Sequence, residues 1–586
     1  MQRDFTALSD SAFDLAIIGG GATGAAIALD ASLRGLSVAL IDKGDFGAAT
    51  SAGSTKLMHG GLRYLANGDI ANVREGLRER RHWSRIAKHL VHPLPFIIPT
   101  YEASQPSKSK LKLGLYLYDW LAFDRNRAVD PMQKMPGHRH MTAAQLLGLS
   151  PDTPRHGPQG RLTGGLMYHD GQMLSPERLV LAMLRTAMQA GAVAVNYVAA
   201  DNFIVEKGRV CGIAISDQLS NKKATLRAAM TLNATGPWAD GLMAEADSGQ
   251  PGRKLIRSKG IHLLTRALTR GAALAVPVDD EHIFITPYMG LSLLATTDTK
   301  FDGAPDDAAV TEDDIALLLD KANRALPDAK LTRQDIFHAY VGLRPLVVDV
   351  NDAADATYGL SRGSEIYDHG KQGGPEGLIS ALGGKWTTSR RLAEQITELA
   401  CRKIGRGKPH RRSADTLLAC TPRDDLARFM DAMRAAFPDA DTAEIDVLSR
   451  LYGVLLPRMM ASDTSGLAAL KDPILAARIA FALNEEMAVQ LADVVLRRLP
   501  EGQLGSLSAS QIGIIADYMA AQLDWSAAES KRQLVAVKQH MSLPTASRAA
   551  TPKKAKAPAT PKAKATAKAK TPAKAKSGAS KKPAKK

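Results

Sequence analysis

The sequence predicts an α/β chain: a Rossmann-like dinucleotide-binding domain interrupted by inserted segments, then an all-helical domain and a basic tail. Three observations predict it. An apolar run from Asp14 to Ile18 ends in glycines at 19, 21 and 24 and opens into an alanine-rich helical pattern, which is G-x-G-x-x-G at a strand-to-helix turn. Further glycine-rich, ligand-like segments are dispersed at 47–61, 234–236 and 383–388. From about 421 to 541 the pattern is helical throughout, with breakers at Pro422, Pro438, Pro473 and Pro500.

The glycines have distinct physical tasks. Gly19 makes the tight turn, Gly21 lets a pyrophosphate approach the backbone, and Gly24 lets helix and strand pack closely. The helix beginning near Ala22 offers unpaired N–H groups and a positive dipole end to the phosphates. The next strand, Ser37 to Ile41, runs into Asp42, where a ribose hydroxyl needs an acceptor. This establishes a dinucleotide without saying which. An NAD enzyme usually keeps its fingerprint in one compact domain, so the dispersal of the glycine loops favours FAD.

Along the chain, residues 44–63 are small, polar and glycine-rich, like a loop laid along a ligand. Residues 69–90 fit a helix, with Ile70, Val73, Leu77, Trp83 and Ile86 on one face and arginines on the other. Residues 108–123 start basic and become aromatic, which fits either an interfacial helix or one packed inside a cap. Strands are expected at 192–198, 203–206, 210–216 and 228–233, the last running into Asn233-Ala-Thr-Gly-Pro-Trp238. Residues 255–300 read as several strands with a turn at 287–290, and Thr311 caps a helix reaching Leu326. A strand from Leu378 to Leu382, then Gly383 and Gly384, then a helix from about Thr387, repeats the opening logic.

Charge and cysteines narrow the classes. The net charge is +16, but residues 544–586 hold 13 lysines, Arg548 and no acid; without those 14 charges the rest carries about +2. A basic partner argument therefore applies to the tail, which lacks branched aliphatics and aromatics and is expected to be disordered. Cys211, Cys401 and Cys420 form no C-x-x-C pair, so neither a disulfide framework nor a metal site is expected. No presequence and no run of about 18 apolar residues is evident, so the expectation is a cytoplasmic protein without a spanning helix.

The loop Thr50-Ser-Ala-Gly-Ser-Thr-Lys-Leu-Met-His-Gly-Gly-Leu-Arg-Tyr-Leu65 resembles the signature loop of FAD-dependent, aerobic, quinone-linked glycerol-3-phosphate dehydrogenases. Asn233–Trp238, Lys259-Gly-Ile-His262, Ala295-Thr-Thr-Asp298, Tyr340-Val-Gly-Leu-Arg-Pro345 and Gly383-Gly-Lys-Trp-Thr-Thr388 follow in that family's order. Asn484–Met487 and Asp493–Arg498 are similar to its C-terminal domain, so the resemblance covers roughly 13–540. It departs at Ala295, where glycine is expected, at Trp386, where an aliphatic residue is common, and in the tail.

The resemblance implies a glutathione-reductase/amino-acid-oxidase type FAD domain with an inserted α+β substrate cap, a C-terminal all-α domain and a disordered tail. Its expected bounds are about 12–100, 165–240 and 375–400 for the FAD segments, 101–164 and 241–374 for the cap, 401–542 for the helices and 543–586 for the tail. It implies oxidation of sn-glycerol 3-phosphate to dihydroxyacetone phosphate, with FAD accepting the hydride and a membrane quinone accepting the electrons. Implied cofactor contacts are Gly19, Gly21, Gly24, Asp42, Thr50, Ser51, Thr55, Gly236, Gly384, Thr387 and Thr388. Arg63, Tyr64, Arg344 and Lys385 are implied for the substrate, and His59, His262 and Arg344 for catalysis. The residue types suit the chemistry. A phosphate monoester needs several cations, arginine grips phosphate as a fork, and an alcohol oxidation needs a base at its hydroxyl. A homodimer and peripheral attachment to a bacterial inner membrane are also implied.

The same motifs admit rival readings. An amino-acid or sarcosine oxidase on the same fold needs an arginine but not a third cation. An oxidase using oxygen on the same substrate shares every motif. A nucleic-acid or anionic-membrane role for the tail rests on its lysines alone.

Overall fold

The computed structural model describes residues 1–544 other than 67, 248–251, 280, 350–362 and 408–409. The expectation of a disordered tail lies outside the described residues. Residues Met1–Pro544 form one compact unit.

The first of two large sheets has Lys223–Asn233, Phe13–Ile18, Val38–Ile41 and Val193–Val195 as parallel neighbours, with Leu378–Gly383 parallel on the far side of Lys223–Asn233. Val38–Ile41 is buried along its whole length, as expected of a parallel strand covered on both faces. Helices Ala22–Leu33, Pro176–Gln189 and Ser389–Lys403 contribute to the same core as these strands. Register decides where the site sits. Ile18 pairs with Asn233 and with Ile41, and Asn233 pairs with Ser380. The carboxyl ends of these strands therefore gather the glycine loops at 19–24, 234–236 and 383–384 at one edge, where open α/β sheets bind ligands.

The second sheet is built around long antiparallel ladders: Val91–Tyr101 with Gly160–Met173, and Arg253–Thr265 with Ile336–Asp349. It also takes in Leu57–Met58, Ala273–Val278, Glu281–Tyr288, Leu291–Ala295 and Thr299–Phe301. Two expected segment boundaries fall inside its strands. Val91–Tyr101 and most of Gly160–Met173 belong to this sheet rather than to the cofactor sheet. The two strands pair with each other from Val91–Met173 to Tyr101–Leu162, a long-range pairing that composition does not signal. Glu312–Ala325 packs in this sheet's core, opened by a capping box between Thr311 and Asp314.

The helix expected at 69–90 spans Ile70–Ile86, with Asp69 accepting from the Asn72 N–H as N-cap. The helix at 108–123 spans Lys108–Leu121 and divides its faces. Leu115, Tyr118 and Leu121 are buried, whereas Leu113, Tyr116 and Trp120 are 70%, 56% and 72% exposed. Residues from Leu426 to Met541 are helical and carry their own core around Ile479, Leu491 and Met519. They dock on the α/β body through buried ion pairs, Arg498 to Asp45 at 2.8 Å and Arg178 to Glu486 at 2.9 Å. Among the described residues no helix is long and apolar enough to cross a membrane.

Candidate active site

At the first glycine loop, Gly19 has φ +104°, and a Cβ there would stand 2.6 Å from the Ala234 carbonyl oxygen. A Cβ at Gly24 would collide with the Gly19 carbonyl. Gly21 is the N-cap of the Ala22–Leu33 helix and has no side chain to fill the space before it. Ser51 Oγ accepts from the Ala22 N–H at 2.9 Å, which ties the 44–63 loop to this helix N-terminus. Asp42 accepts from the Gly20 N–H at 2.6 Å and the Gly44 N–H at 2.8 Å. Burial pushes its carboxyl up to about 6. A glycine cradle beside a helix N-terminus, with an enclosed carboxylate at the next strand end, fits the pyrophosphate and ribose of a dinucleotide.

The sequence-predicted substrate residues meet farther along the same loop. His59, Arg63, Tyr64, His262, Arg344 and Lys385 line one cavity of about 280 Å³. Thr50, Thr55, Gly384 and Thr387 line it too. Thr388, the N-cap of Ser389–Lys403, is not among the residues that line it. Gly236, at φ +57°, also lies outside this cavity, at the end of the strand beside the first glycine loop. A second cavity of about 620 Å³ shares Thr50, Gly53 and Gly342 with the first.

Three features shape the cavity's electrostatics. Lys385 Nζ sits 3.8 Å above the Tyr64 ring, joining two motifs some 320 residues apart into one basic patch with Arg63. Arg344 donates to Ser258 Oγ at 3.0 Å and Thr296 Oγ1 at 2.8 Å, which fix its guanidinium. His262 is 2% exposed, stacks on Tyr340 at 4.7 Å, and has Thr55 Oγ1 3.1 Å from its Nε2. Burial, then the charges of Arg344 and Lys56, hold its pKa well below the ordinary histidine value. Its Nδ1 is buried without a hydrogen-bond partner among the described residues. The imidazole is thus neutral and has one ring nitrogen left over.

Trp386, a departure from the expected motif, donates from its indole N–H to the Ser51 carbonyl at 3.0 Å. It thereby braces the loop against the Gly383–Thr388 turn, so the change is a packing device. Sequence reading missed Asp170, which also lines the cavity and is 2% exposed. It lies in the stretch Leu166-Met-Tyr-His-Asp-Gly171, which carries no motif that singles it out.

A family profile described as "FAD dependent oxidoreductase" matches residues 14–399. The chain is thus a flavoprotein oxidoreductase that uses FAD, and the glycine cradle is where that cofactor fits. A second profile, described as the C-terminal domain of alpha-glycerophosphate oxidase, matches residues 379–530. Glycerol-3-phosphate dehydrogenase of a Synechocystis species is 33% identical over 562 residues, covering 92% of this chain and 98% of that one. Glycerol-3-phosphate dehydrogenase 1 of Mycobacterium bovis is 38% identical over 411 residues, covering 68% and 74%. The crystal structure of glycerol-3-phosphate dehydrogenase from Bacillus halodurans with FAD superposes with a TM-score of 0.74 at 25% identity, covering 91% and 95%. This chain belongs to the FAD-dependent glycerol-3-phosphate dehydrogenase family.

Proposed function

We propose that the protein oxidises sn-glycerol 3-phosphate to dihydroxyacetone phosphate and that its electrons leave to a membrane quinone. The observation that carries the substrate is the convergence of Arg63, Tyr64, Lys385, Arg344 and His262 on one cavity. Bound FAD supplies a two-electron hydride acceptor. Arg63 and Lys385 hold the phosphate dianion, with Tyr64 as a further donor. An amino-acid substrate has no use for so many cations, since a carboxylate is satisfied by one arginine fork. Arg344 stays protonated and holds the substrate hydroxyl and the negative charge that grows there. His262 is neutral and accepts the hydroxyl proton at Nδ1, the nitrogen without a partner. His59, which lines the same cavity, is the other histidine candidate for that proton.

The experiment is an anaerobic flavin spectrum before and after glycerol 3-phosphate is added. Bleaching of the visible flavin band is expected, and an unchanged spectrum overturns the substrate assignment. What supports the quinone and peripheral membrane attachment is the Lys108–Leu121 helix. Its exposed Leu113, Tyr116 and Trp120 are followed by Phe123, 76% exposed, and Lys110 and Lys112 are exposed beside them. Apolar side chains that enter the headgroup boundary beside cations suit an anionic bilayer. Stoichiometric peroxide from purified enzyme in the presence of quinone would point to oxygen instead. Truncation near residue 543 tests the tail: vesicle and DNA binding that both survive unchanged remove it from either role.

A further inference from the structure

The cavity residues Arg63 and Tyr64 are carried on a turn, His59-Gly60-Gly61, that enters the short helix Leu62–Ala66. Glycines give this turn no side-chain anchors of its own. It is held from outside. The Gly60 N–H donates to Asp170 Oδ1 at 2.9 Å. The same carboxylate accepts from the Tyr118 hydroxyl at 3.0 and 3.1 Å and pairs with the Arg80 guanidinium. Arg80 also donates to the His169 carbonyl at 3.0 Å. Asp170, Arg80 and Tyr118 are each 2% exposed, so these contacts are made away from water.

The neighbours are shaped to admit the turn. A Cβ at Gly76, on the Ile70–Ile86 helix, would come within 3.0 Å of the Gly60 carbonyl oxygen. A Cβ at Gly60 would collide with the Tyr118 hydroxyl and Leu77. Three separate elements therefore grip one turn: the strand bearing Asp170, the helix bearing Arg80 and the helix bearing Tyr118. The three donors satisfy the buried carboxylate and leave it no freedom to turn away from the Gly60 N–H. Its partners include a cation that neutralises it, so its field is spent within the network rather than repelling a phosphate nearby.

We propose that Asp170 is a positioning residue for the substrate loop: it fixes the turn at Gly60 and thereby the reach of Arg63 and Tyr64 into the cavity, with Tyr118 as a strut from the Lys108–Leu121 helix. This rests on the reading of Arg63 and Tyr64 as phosphate-binding groups. It acts through the loop and touches neither the hydroxyl nor the hydride path, so its effect falls on substrate affinity more than on turnover.

The test uses the FAD-loaded full chain. Removing Asp170 alone leaves Arg80 buried and unpaired, so the pair is removed together as Arg80→Met with Asp170→Leu, which spares the fold the uncompensated charge. Tyr118→Phe is the milder second variant. A misplacement of about 1 Å costs up to ~100-fold. The double variant is expected to retain FAD and to raise KM for glycerol 3-phosphate by ~10- to 100-fold with a smaller change in kcat. Its affinity for inorganic phosphate, read from the perturbed oxidised-flavin spectrum, falls in parallel. Tyr118→Phe moves both in the same direction by roughly 2- to 5-fold, and it decides the matter if the double variant fails to fold. KM and phosphate affinity within twofold of the parent, in a folded FAD-bound variant, overturn the proposal. A parent enzyme that binds phosphate but never oxidises glycerol 3-phosphate overturns the substrate reading and leaves the positioning role to be decided by the phosphate titration.

Discussion

Gly19→Ala separates the cofactor cradle from the rest of the fold. The new Cβ would stand 2.6 Å from the Ala234 carbonyl oxygen, 2.9 Å from its carbon and 3.1 Å from Thr235 Cα. Comfortable non-bonded separations are about 3.5 Å, so the first glycine loop and the Ala234–Gly236 loop must part by roughly 1 Å. The obstructing atoms are backbone and cannot rotate away. The φ of +104° adds strain of about 1–3 kcal/mol for a residue with a Cβ. The same movement pulls on the Gly20 N–H to Asp42 contact of 2.6 Å, which joins the two ends of the cradle. Losing one charge-assisted N–H contact to phosphate costs about 1.5–3 kcal/mol, or ~10- to 150-fold in FAD affinity. The assay is the flavin-to-protein absorbance ratio of purified protein, followed by titration of the apoprotein with FAD. Gly114→Ala is the control, since this glycine lies in the Lys108–Leu121 helix with nothing within 4 Å of an added Cβ. It should hold FAD normally and gain up to about 1 kcal/mol of stability. A Gly19→Ala protein with full FAD content and parental affinity refutes the assignment of this loop as the pyrophosphate seat.

Other outcomes follow from the cavity and the core. Lys385→Met should raise KM for glycerol 3-phosphate by ~10-fold or more with FAD content intact, because it removes a cation from the phosphate and its seat over Tyr64. His262→Gln should slow the anaerobic reduction of the flavin by ~10²- to 10⁴-fold in stopped flow, and a rate near the parent's would assign the proton to another group. Trp120→Glu, which replaces a 72% exposed indole, should weaken sedimentation with anionic vesicles by about 10-fold while leaving turnover of a soluble acceptor unchanged. His89 is fully buried, and burial with Lys88, Arg178 and Arg450 lowers its pKa to about 3. Between about pH 6.5 and 3 the unfolded chain binds a proton that the folded one does not, so stability falls as pH falls; at pH 5 the loss is about 2 kcal/mol. His89→Leu should flatten that acid limb in urea melts at pH 7 and 5, and an unaltered pH dependence would remove His89 from the account.

The cofactor end was legible in the sequence because its chemistry is local. Gly19 to Gly24 form a strand-turn-helix within eleven residues of Asp14, and Asp42 follows on the next strand. The substrate end was legible only as separate motifs. Nothing in spacing says that Lys385 lies over Tyr64, because that contact depends on Leu378–Gly383 entering the sheet beside Lys223–Asn233. Asp170 stayed hidden for a similar reason. Its partners Gly60, Arg80 and Tyr118 lie on three other elements, and a lone carboxylate in a strand carries no pattern. The segment bounds expected near 100 and 165 lie within the paired strands Val91–Tyr101 and Gly160–Met173, a pairing that no local sequence pattern announces.

The helical segment also bears on the cofactor. Arg497 and Arg498, on the turn Val494–Arg498, both pair with Asp45 at 2.6 and 2.8 Å. Burial would raise the Asp45 carboxyl, but the two guanidinium groups outweigh it and hold the pKa at about 2. Asp45 lies three residues beyond Asp42 and six before Ser51, whose hydroxyl holds the Ala22 N–H. The loop read as a cofactor-side loop is thus anchored at its start by Asp42, at its middle by Ser51, and by two arginines some 450 residues away in sequence. A buried carboxylate left without both arginines would have to protonate or expose itself, and either change moves the loop. The all-helical segment therefore braces the Asp42–Ser51 loop as well as packing beside it, in keeping with one compact unit from Met1 to Pro544.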